Sequence, residues 1–450
     1  MAPRFFRLLL VAGVLSAPVS PARAQSPAPE PAAPVPLGVD GALTSWLLVR
    51  GELRTRVEGF TSGGYTDGND DAYWMDRWRF SATVHPRASM QFFVQAQDSR
   101  AFQKTAGGMA LPLRNTLDLH QGYAQFGSTT MVRAGRQEVT FGEQRLIGSS
   151  TWLNAPRAFD GVRVSHKTSI GQFDAVALSV VVNDPEEFDK SGHGNALYGT
   201  YESLTGVVPR QTIEPFFFWR SSTNVAEELG GTAALHQSTI GVRMAGALPS
   251  DFDYSGEMAL QRGSVGSDTV KAWAGHGVVG RTFRSPVKPR VFGEFNHASG
   301  DANGVDGTRG TFDQLYPSGH DKFGLADQVG WRNMNHARVA VEIRPTPKWL
   351  ISGGYHNFWL ASATDGLYNS GGTLVARSAA GTAGTYVGWE VDVQAAFIYS
   401  PQLQVYAGYA RFVPGEFLQN TTGGHTYNYP FVTATYVFAG ESLPPGKTTK

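Results

Sequence analysis

Between Leu47 and Glu58, Leu47, Val49, Leu53 and Val57 fall on one parity and Arg50, Glu52, Arg54, Arg56 and Glu58 on the other. The same period of two recurs over 76–85. There Trp78, Phe80, Ala82 and Val84 interleave with Arg77, Arg79, Ser81, Thr83 and His85. Over 336–344, Ala337, Val339, Val341 and Ile343 oppose His336, Arg338, Glu342 and Arg344. Over 387–399, Val387, Trp389, Val391, Val393, Ala395, Phe397 and Tyr399 oppose Glu390, Asp392 and Gln394. Successive side chains on a strand point to opposite faces. Each segment therefore predicts a strand with one oily and one ionic face.

A soluble antiparallel sheet also alternates, so other features must decide. Several ions crowd each polar face, and the strands reach ten or more residues, beyond the ~5–6 usual in globular proteins. Aromatic residues sit near predicted strand ends: Trp46, Tyr73, Trp349, Trp359, Tyr386, Tyr399 and Tyr429. They would form girdles at two lipid–water boundaries. Connection lengths alternate as well. Short turns are predicted at 86–89, 127–130, 168–171, 205–211, 248–251, 285–289, 345–347 and near Pro401. Long polar stretches are predicted at 60–72, 99–116, 139–158, 184–194, 222–236, 263–268, 298–332, 362–385 and 414–427. The rhythm predicts an all-β, closed antiparallel transmembrane barrel of about eighteen strands over 46–439, with short periplasmic turns and long extracellular loops. Strands near 131–138, 195–204 and 269–284 alternate weakly and are placed partly by that rhythm. An open sheet edge cannot sit in hydrocarbon, so the first strand (46–59) must pair with the last (428–439). A barrel this wide encloses an aqueous channel.

The N-terminus agrees with that destination. Arg4 and Arg7, the apolar run Leu8–Ala17 and the small-x-small Ala22-Arg23-Ala24 predict an export signal over 1–24, with cleavage before Gln25. Residues 25–45 are expected to be a flexible periplasmic leader, rich in Pro and Ala over 25–37, and 440–450 a C-terminal tail. The strand aromatic Phe438 is what barrel-assembly machinery is expected to read, although polar residues follow it. The chain has no Cys and a formal net charge of zero. No disulfide can staple it, and the neutral balance argues against a nucleic-acid partner.

Inward positions include Arg50, Arg54, Arg56, Arg77, Arg79, Arg163, Arg243, Arg290, Arg338 and Arg344, with Asp253, Glu257, Glu294, Glu342, Glu390 and Asp392 among the acids. Arginines concentrate on the first two strands and acids on strands eleven, thirteen and sixteen. An arginine-lined narrowing would concentrate anionic solutes, and a guanidinium fork fits a carboxylate. Arginines that only pair with neighbouring acids would instead stiffen the wall.

Further motifs carry a family likeness. They are Arg133-Ala-Gly-Arg136-Gln137, running on to Gly142-Glu-Gln-Arg-Leu-Ile-Gly148; Arg157-Ala-Phe-Asp-Gly161-Val-Arg163; and Phe295-Asn-His-Ala-Ser-Gly-Asp301, followed by Thr311, Phe312, Tyr316, Pro317 and His320. In order and spacing the chain resembles the alginate-export family of outer-membrane porins from about residue 46 to 439. The resemblance implies a monomeric eighteen-stranded barrel in the Gram-negative outer membrane. It also implies passive passage of an anionic uronate polysaccharide or its oligomers through an arginine-lined pore. It extends that role to Arg77, Arg136, Arg163 and Arg338, beside Arg50, Arg54 and Arg79 from the alternation. A general or small-solute uptake porin is the alternative.

Other chemistry finds little support. Gly275-His-Gly-Val-Val-Gly280 matches a dinucleotide motif but lacks its strand–turn–helix setting. Gly446-Lys447-Thr448 copies only the end of a phosphate loop. Asp301-Ala-Asn-Gly-Val-Asp306 resembles part of a calcium loop, though a solvated outer loop is the simpler reading. There is no H-E-x-x-H and no G-x-S-x-G, so neither an enzyme nor a cofactor is expected. A receptor or adhesin would use the long 298–332 loop on a partner; a channel would fold it into the lumen.

Overall fold

The computed structural model describes residues 46–106, 112–227 and 230–440. The expected signal and leader lie outside these residues, as do the tail beyond Gly440 and Gly446-Lys447-Thr448. Eighteen long strands form one closed antiparallel ring. The first nine are β1 (Leu47–Phe60), β2 (Asp71–Arg87), β3 (Met90–Phe102), β4 (Asn115–Gly127), β5 (Thr130–Gln137), β6 (Phe159–Thr168), β7 (Gly171–Val182), β8 (Lys190–Leu204) and β9 (Gln211–Ala226). The second nine are β10 (Thr232–Ala247), β11 (Phe252–Val265), β12 (Asp268–Thr282), β13 (Arg290–Ala298), β14 (Met334–Ile343), β15 (Trp349–Trp359), β16 (Tyr386–Ile398), β17 (Leu403–Pro414) and β18 (Tyr427–Gly440). Each pairs with the next, and β1 closes on β18 from Val49↔Gly440 to Glu58↔Phe431. The glycine motif at 275–280 is simply part of β12.

Facing follows the alternation. Trp78 is 57% exposed and Val339 61%, whereas Arg54 and Arg77 are 6% and 4% exposed. The oily row is thus outermost and the ionic row lines the lumen. A one-residue slip of β1 would put Arg54, Arg56 and Glu58 into acyl chains. An arginine at the bilayer midplane costs ~2–4 kcal/mol, so the register is strongly specified. At the seam, Gly51 lies opposite Phe438, and a Cβ on Gly51 would come within 2.0 Å of that ring. The missing side chain lets the aromatic lie across the closing strand pair.

Two girdle residues need correction. Tyr73 and Tyr429 share the phase of the ionic row and turn inward, each donating its hydroxyl to Glu58 at 2.5 and 2.7 Å. The outward aromatics at the loop end include Trp74, Trp219 and Trp273, and those at the other end include Phe126, Trp349, Tyr399 and Tyr436. The connections at 183–189, 227–231 and 266–267 are shorter than expected, because their strands run further before turning. The long loops are also not all solvated. A short hairpin (Gly366–Tyr368 with Leu374–Arg377) and one helical turn, α1 (Glu416–Thr421), contribute Leu367, Ala376, Phe417 and Leu418 to the main buried cluster.

Candidate functional site

The lumen is crossed by two of the long loops, 138–158 and 299–333. The first is anchored on the β1–β3 wall through its backbone. Arg54 donates to Thr151 O at 2.8 Å and Leu153 O at 3.1 Å, and Arg77 to the same two carbonyls at 2.9 and 3.1 Å. Arg56 donates to Trp152 O at 2.6 Å and lies 4.0 Å over the Trp152 ring. Asn154 donates to Asp76 O, Arg100 O and Leu113 O, while its own carbonyl accepts from Ser99 Oγ at 2.6 Å.

The other end of this loop reaches the far side of the ring. Arg145 meets Glu294 of β13 at 2.9 Å and Asn296 at 3.3 Å. Glu143 accepts from Arg243 of β10 at 2.9 Å and from Ser255 of β11 at 2.5 Å. Burial alone would raise the pKa of Glu143. The His276 imidazole, 3.5 Å away, and the guanidinium groups of Arg145 and Arg243 outweigh it and hold the carboxyl well below its usual range. With eighteen strands, β10 stands diametrically across from β1, so the loop is a crossbar.

The second loop is zipped to the first. Gly148 N donates to Tyr316 O, Tyr316 N to Leu146 O and Ser318 N to Gln144 O, at 2.8–2.9 Å. Arg157 ties the pair by donating to Gly148 O and Pro317 O at 3.0 and 3.1 Å. Phe141, Ile147, Phe312, Tyr316, Phe323 and Trp331 share one buried cluster with the wall. Trp152 stacks on His320 at 3.8 Å. Gly324, at φ +89°, brings the backbone against Glu390, whose carboxylate also accepts from Ala326 N at 3.1 Å; a Cβ there would strike the carboxylate at 2.6 Å. The 298–332 segment thus enters the lumen, as a channel with a constriction requires. Asp301, the first acid of the calcium-like run, is capped by Asn303 N and Gly310 N at 2.7 and 2.6 Å. Among the described residues, no group of three metal-ligating side chains occurs.

The seven arginines expected to line the pore are placed differently from one another. Arg50, Arg54, Arg77 and Arg79 lie on one inward wall. Arg54 and Arg77 hold loop carbonyls, and Arg77 also pairs with Glu52 at 2.8 Å. Arg79 pairs with Glu138 at 3.1 Å. Burial would raise the pKa of Glu138, yet Arg79 and His120 lower it to about 2. Arg50 makes no side-chain ion pair among the described residues. Arg163 is inward, against Asp174 at 2.8 Å and over the ring of Phe141. Arg338 is inward, 3.6 Å from Glu294. Arg136 stands apart: its row is that of Val132 and Ala134, the lipid-side row, and it forms a two-pronged pair with Asp160 at 2.9 and 3.1 Å.

Sequence reasoning did not single out Glu143, Arg145, Trp152 or Asn154 as functional, although the first two lie inside a motif quoted for the resemblance. One signal was present: Leu146-Ile147 and Trp152-Leu153 are apolar pairs in a loop that ought to face water, and such pairs must find a buried surface.

Comparison with known proteins gives a coherent result. A family model described as alginate export matches residues 45–433. No curated protein matches the chain. Among solved structures, OccAB2 from Acinetobacter baumannii is similar, with TM-score 0.60, 11% identity, and 89% of this chain and 99% of that one covered. OpdK from Pseudomonas aeruginosa gives TM-score 0.61 at 11% identity, covering 89% of this chain and 100% of the other. OpdK solved with vanillate gives 0.58 at 10% identity, over 87% and 98%. At such identities the likeness is one of fold.

Proposed function

The chain belongs to the alginate-export family and is an outer-membrane channel of a Gram-negative bacterium, and on that premise we propose that it passes uronate-bearing anions, an alginate-like chain or its oligomers, by passive diffusion. The observation that carries this is the β1–β2 wall. Five arginines face inward there (Arg50, Arg54, Arg56, Arg77 and Arg79) against three acids, Glu52, Glu58 and, at the loop end, Asp71, which is itself paired with Lys104. The partners of Arg54 are neutral oxygens, which accept from its two terminal nitrogens without cancelling its charge. An excess of fixed positive charge in a narrow, low-dielectric setting raises the local anion concentration. Passage down a gradient needs no catalytic group, and we assign none.

A second reading, uptake of a small carboxylate solute, is favoured by the crossbar itself. Two loops zipped across the lumen divide its cross-section, which suits a short solute better than a polymer.

Planar-bilayer recording with the purified protein separates the two. Oligomannuronate, citrate and a neutral sugar oligomer are added in turn. Block that deepens with uronate chain length, with the neutral oligomer inert, is the expected result. Block by citrate and not by uronate would transfer the assignment to the small-solute reading. Equal indifference to all three would remove anion selection altogether.

A further inference from the structure

The outer surface holds a charge arrangement that a lipid-facing wall does not tolerate alone. Arg262 on β11 and Lys271 on β12 are direct cross-strand partners. Both are exposed and outward, in phase with Leu260 and Trp273, which also face outward. Directly opposite side chains sit ~4.5–5.5 Å apart at Cβ, and like charges so placed destabilise the sheet. Among the described residues no acid answers them. Lys271 has no hydrogen-bond or ion-pair partner among the described residues. Among the described residues Arg262 donates through Nη1 alone, to the carbonyls of Gln261 and Ala272 at 2.7 and 3.5 Å. Asp268, nearer the hairpin tip, has the parity of buried Val270 and belongs to the inner row. Two other outward cations of the loop end are answered by acids, Arg100 by Asp98 at 2.8 Å and Arg136 by Asp160 at 2.9 Å, while Arg411 stands singly and donates to Asn428 Oδ1 at 3.3 Å.

The level of the pair on the wall indicates what would answer it. Toward the bilayer centre lie Ile240, Met258, Leu260, Trp273 and Phe295, all exposed. Toward the hairpin tip, on the same outward row, lie Ser264 and Thr269. Lys271 is two residues from Trp273, about 7 Å along the strand. The cations therefore stand where the apolar band gives way to polar rim on the loop side, the depth of headgroup phosphates in the outer leaflet.

We propose that Arg262 and Lys271 form a binding site for the phosphorylated glucosamine headgroup of lipopolysaccharide. The two cations share one phosphate, and the acyl chains lie along the Ile240–Leu260–Trp273 stripe. The site is separate from the lumen and does not depend on which solute the channel carries.

The test uses the full barrel in detergent micelles, titrated with lipopolysaccharide, enzymatically dephosphorylated lipopolysaccharide, phosphatidylglycerol and inorganic phosphate. Bound lipid is counted by native mass spectrometry. The intact glycolipid is expected to bind as a discrete adduct, and R262Q/K271Q should weaken it roughly thirtyfold, the combined effect of two surface cations. Dephosphorylation should weaken it comparably, and inorganic phosphate alone should not compete. Because both side chains lie on the outer face, away from the lumen and outside the backbone ladder, the variant should keep the native heat-modifiable band and conductance, which guards against loss of fold. Equal retention by wild type and variant, or binding of phosphatidylglycerol as strong as that of lipopolysaccharide, would overturn the assignment.

Discussion

Asp189, just outside β8, shows how one buried carboxyl couples an outer loop to pH. Its Oδ1 accepts from Asp184 N at 2.8 Å and its Oδ2 from Asn115 Nδ2 at 3.0 Å, while its own N–H donates to Asp118. Burial raises its pKa, the neighbouring Asp118 carboxylate adds to that, and the net value is about 6. A folded-state pKa above the unfolded one means that the folded protein holds the proton more tightly. Stability is therefore gained as pH falls through about 6 and lost as pH rises through it. Thermal unfolding is expected to shift upward between pH 7 and pH 5 in the wild type and less so in Asp189→Asn. Parallel profiles for the two proteins would show that the proton on Asp189 is irrelevant to the loop. Single residues were legible in the sequence where they lay on long alternating runs, as Arg54 and Arg77 did. Arg136 was assigned by motif instead. Counting two positions on from Ala134 would have placed it with the oily row, but β5 has only eight residues and Gly135 interrupts its pattern.

At the scale of elements, strands and crossbar obey different rules. Strands β1, β2, β14 and β16 were readable to within a few residues, because period-two patterning is local. The path of the 138–158 loop depends on contacts with β1, β2, β3, β10, β11 and β13, all distant in sequence, and no local pattern encodes it. Its apolar pairs demand burial without saying where. Asn154 is the pin of that path, since its amide bonds three backbone carbonyls and its Oδ1 accepts from Arg54. Replacing it with Ala takes their side-chain donor from buried carbonyls and one acceptor from the Arg54 guanidinium, at a cost of ~1–3 kcal/mol for each group left unsatisfied. Asn154→Ala should loosen the crossbar while the barrel, closed by its own ladder, persists. Single-channel recording should then show larger and noisier conductance with an unchanged heat-modifiable band. A quiet trace of wild-type amplitude would mean that the arginines hold the loop unaided.

Across the whole molecule, the lumen has a polarity of its own. The β1–β2 wall carries the arginine excess, and the β11–β16 wall carries Asp253, Glu257, Glu294, Glu342, Glu390 and Asp392 against Arg290 and Arg338. A formal net charge of zero hides this segregation. The crossbar runs between the two walls with Glu143 and Arg145 at the acidic side and neutral carbonyls at the basic side, so it leaves the basic wall less compensated than the acidic one. Anion preference should accordingly depend on inward cations without close acids and not on total arginine content. Arg50→Glu is expected to lower the chloride-to-potassium permeability ratio by about fivefold, the effect of ~1 kcal/mol for a charge at contact distance in a water-like medium. Arg136→Gln should leave the ratio unchanged, because that guanidinium is held by Asp160 on the lipid side. The difference should shrink as salt rises from 0.1 M to 1 M, where the screening length falls from about 10 Å to about 3 Å. Reversal potentials in a potassium chloride gradient measure all three. If Arg136→Gln moved selectivity as far as the Arg50 variant, charge facing lipid and charge facing water would be acting alike, and the inward β1–β2 wall could not be the filter.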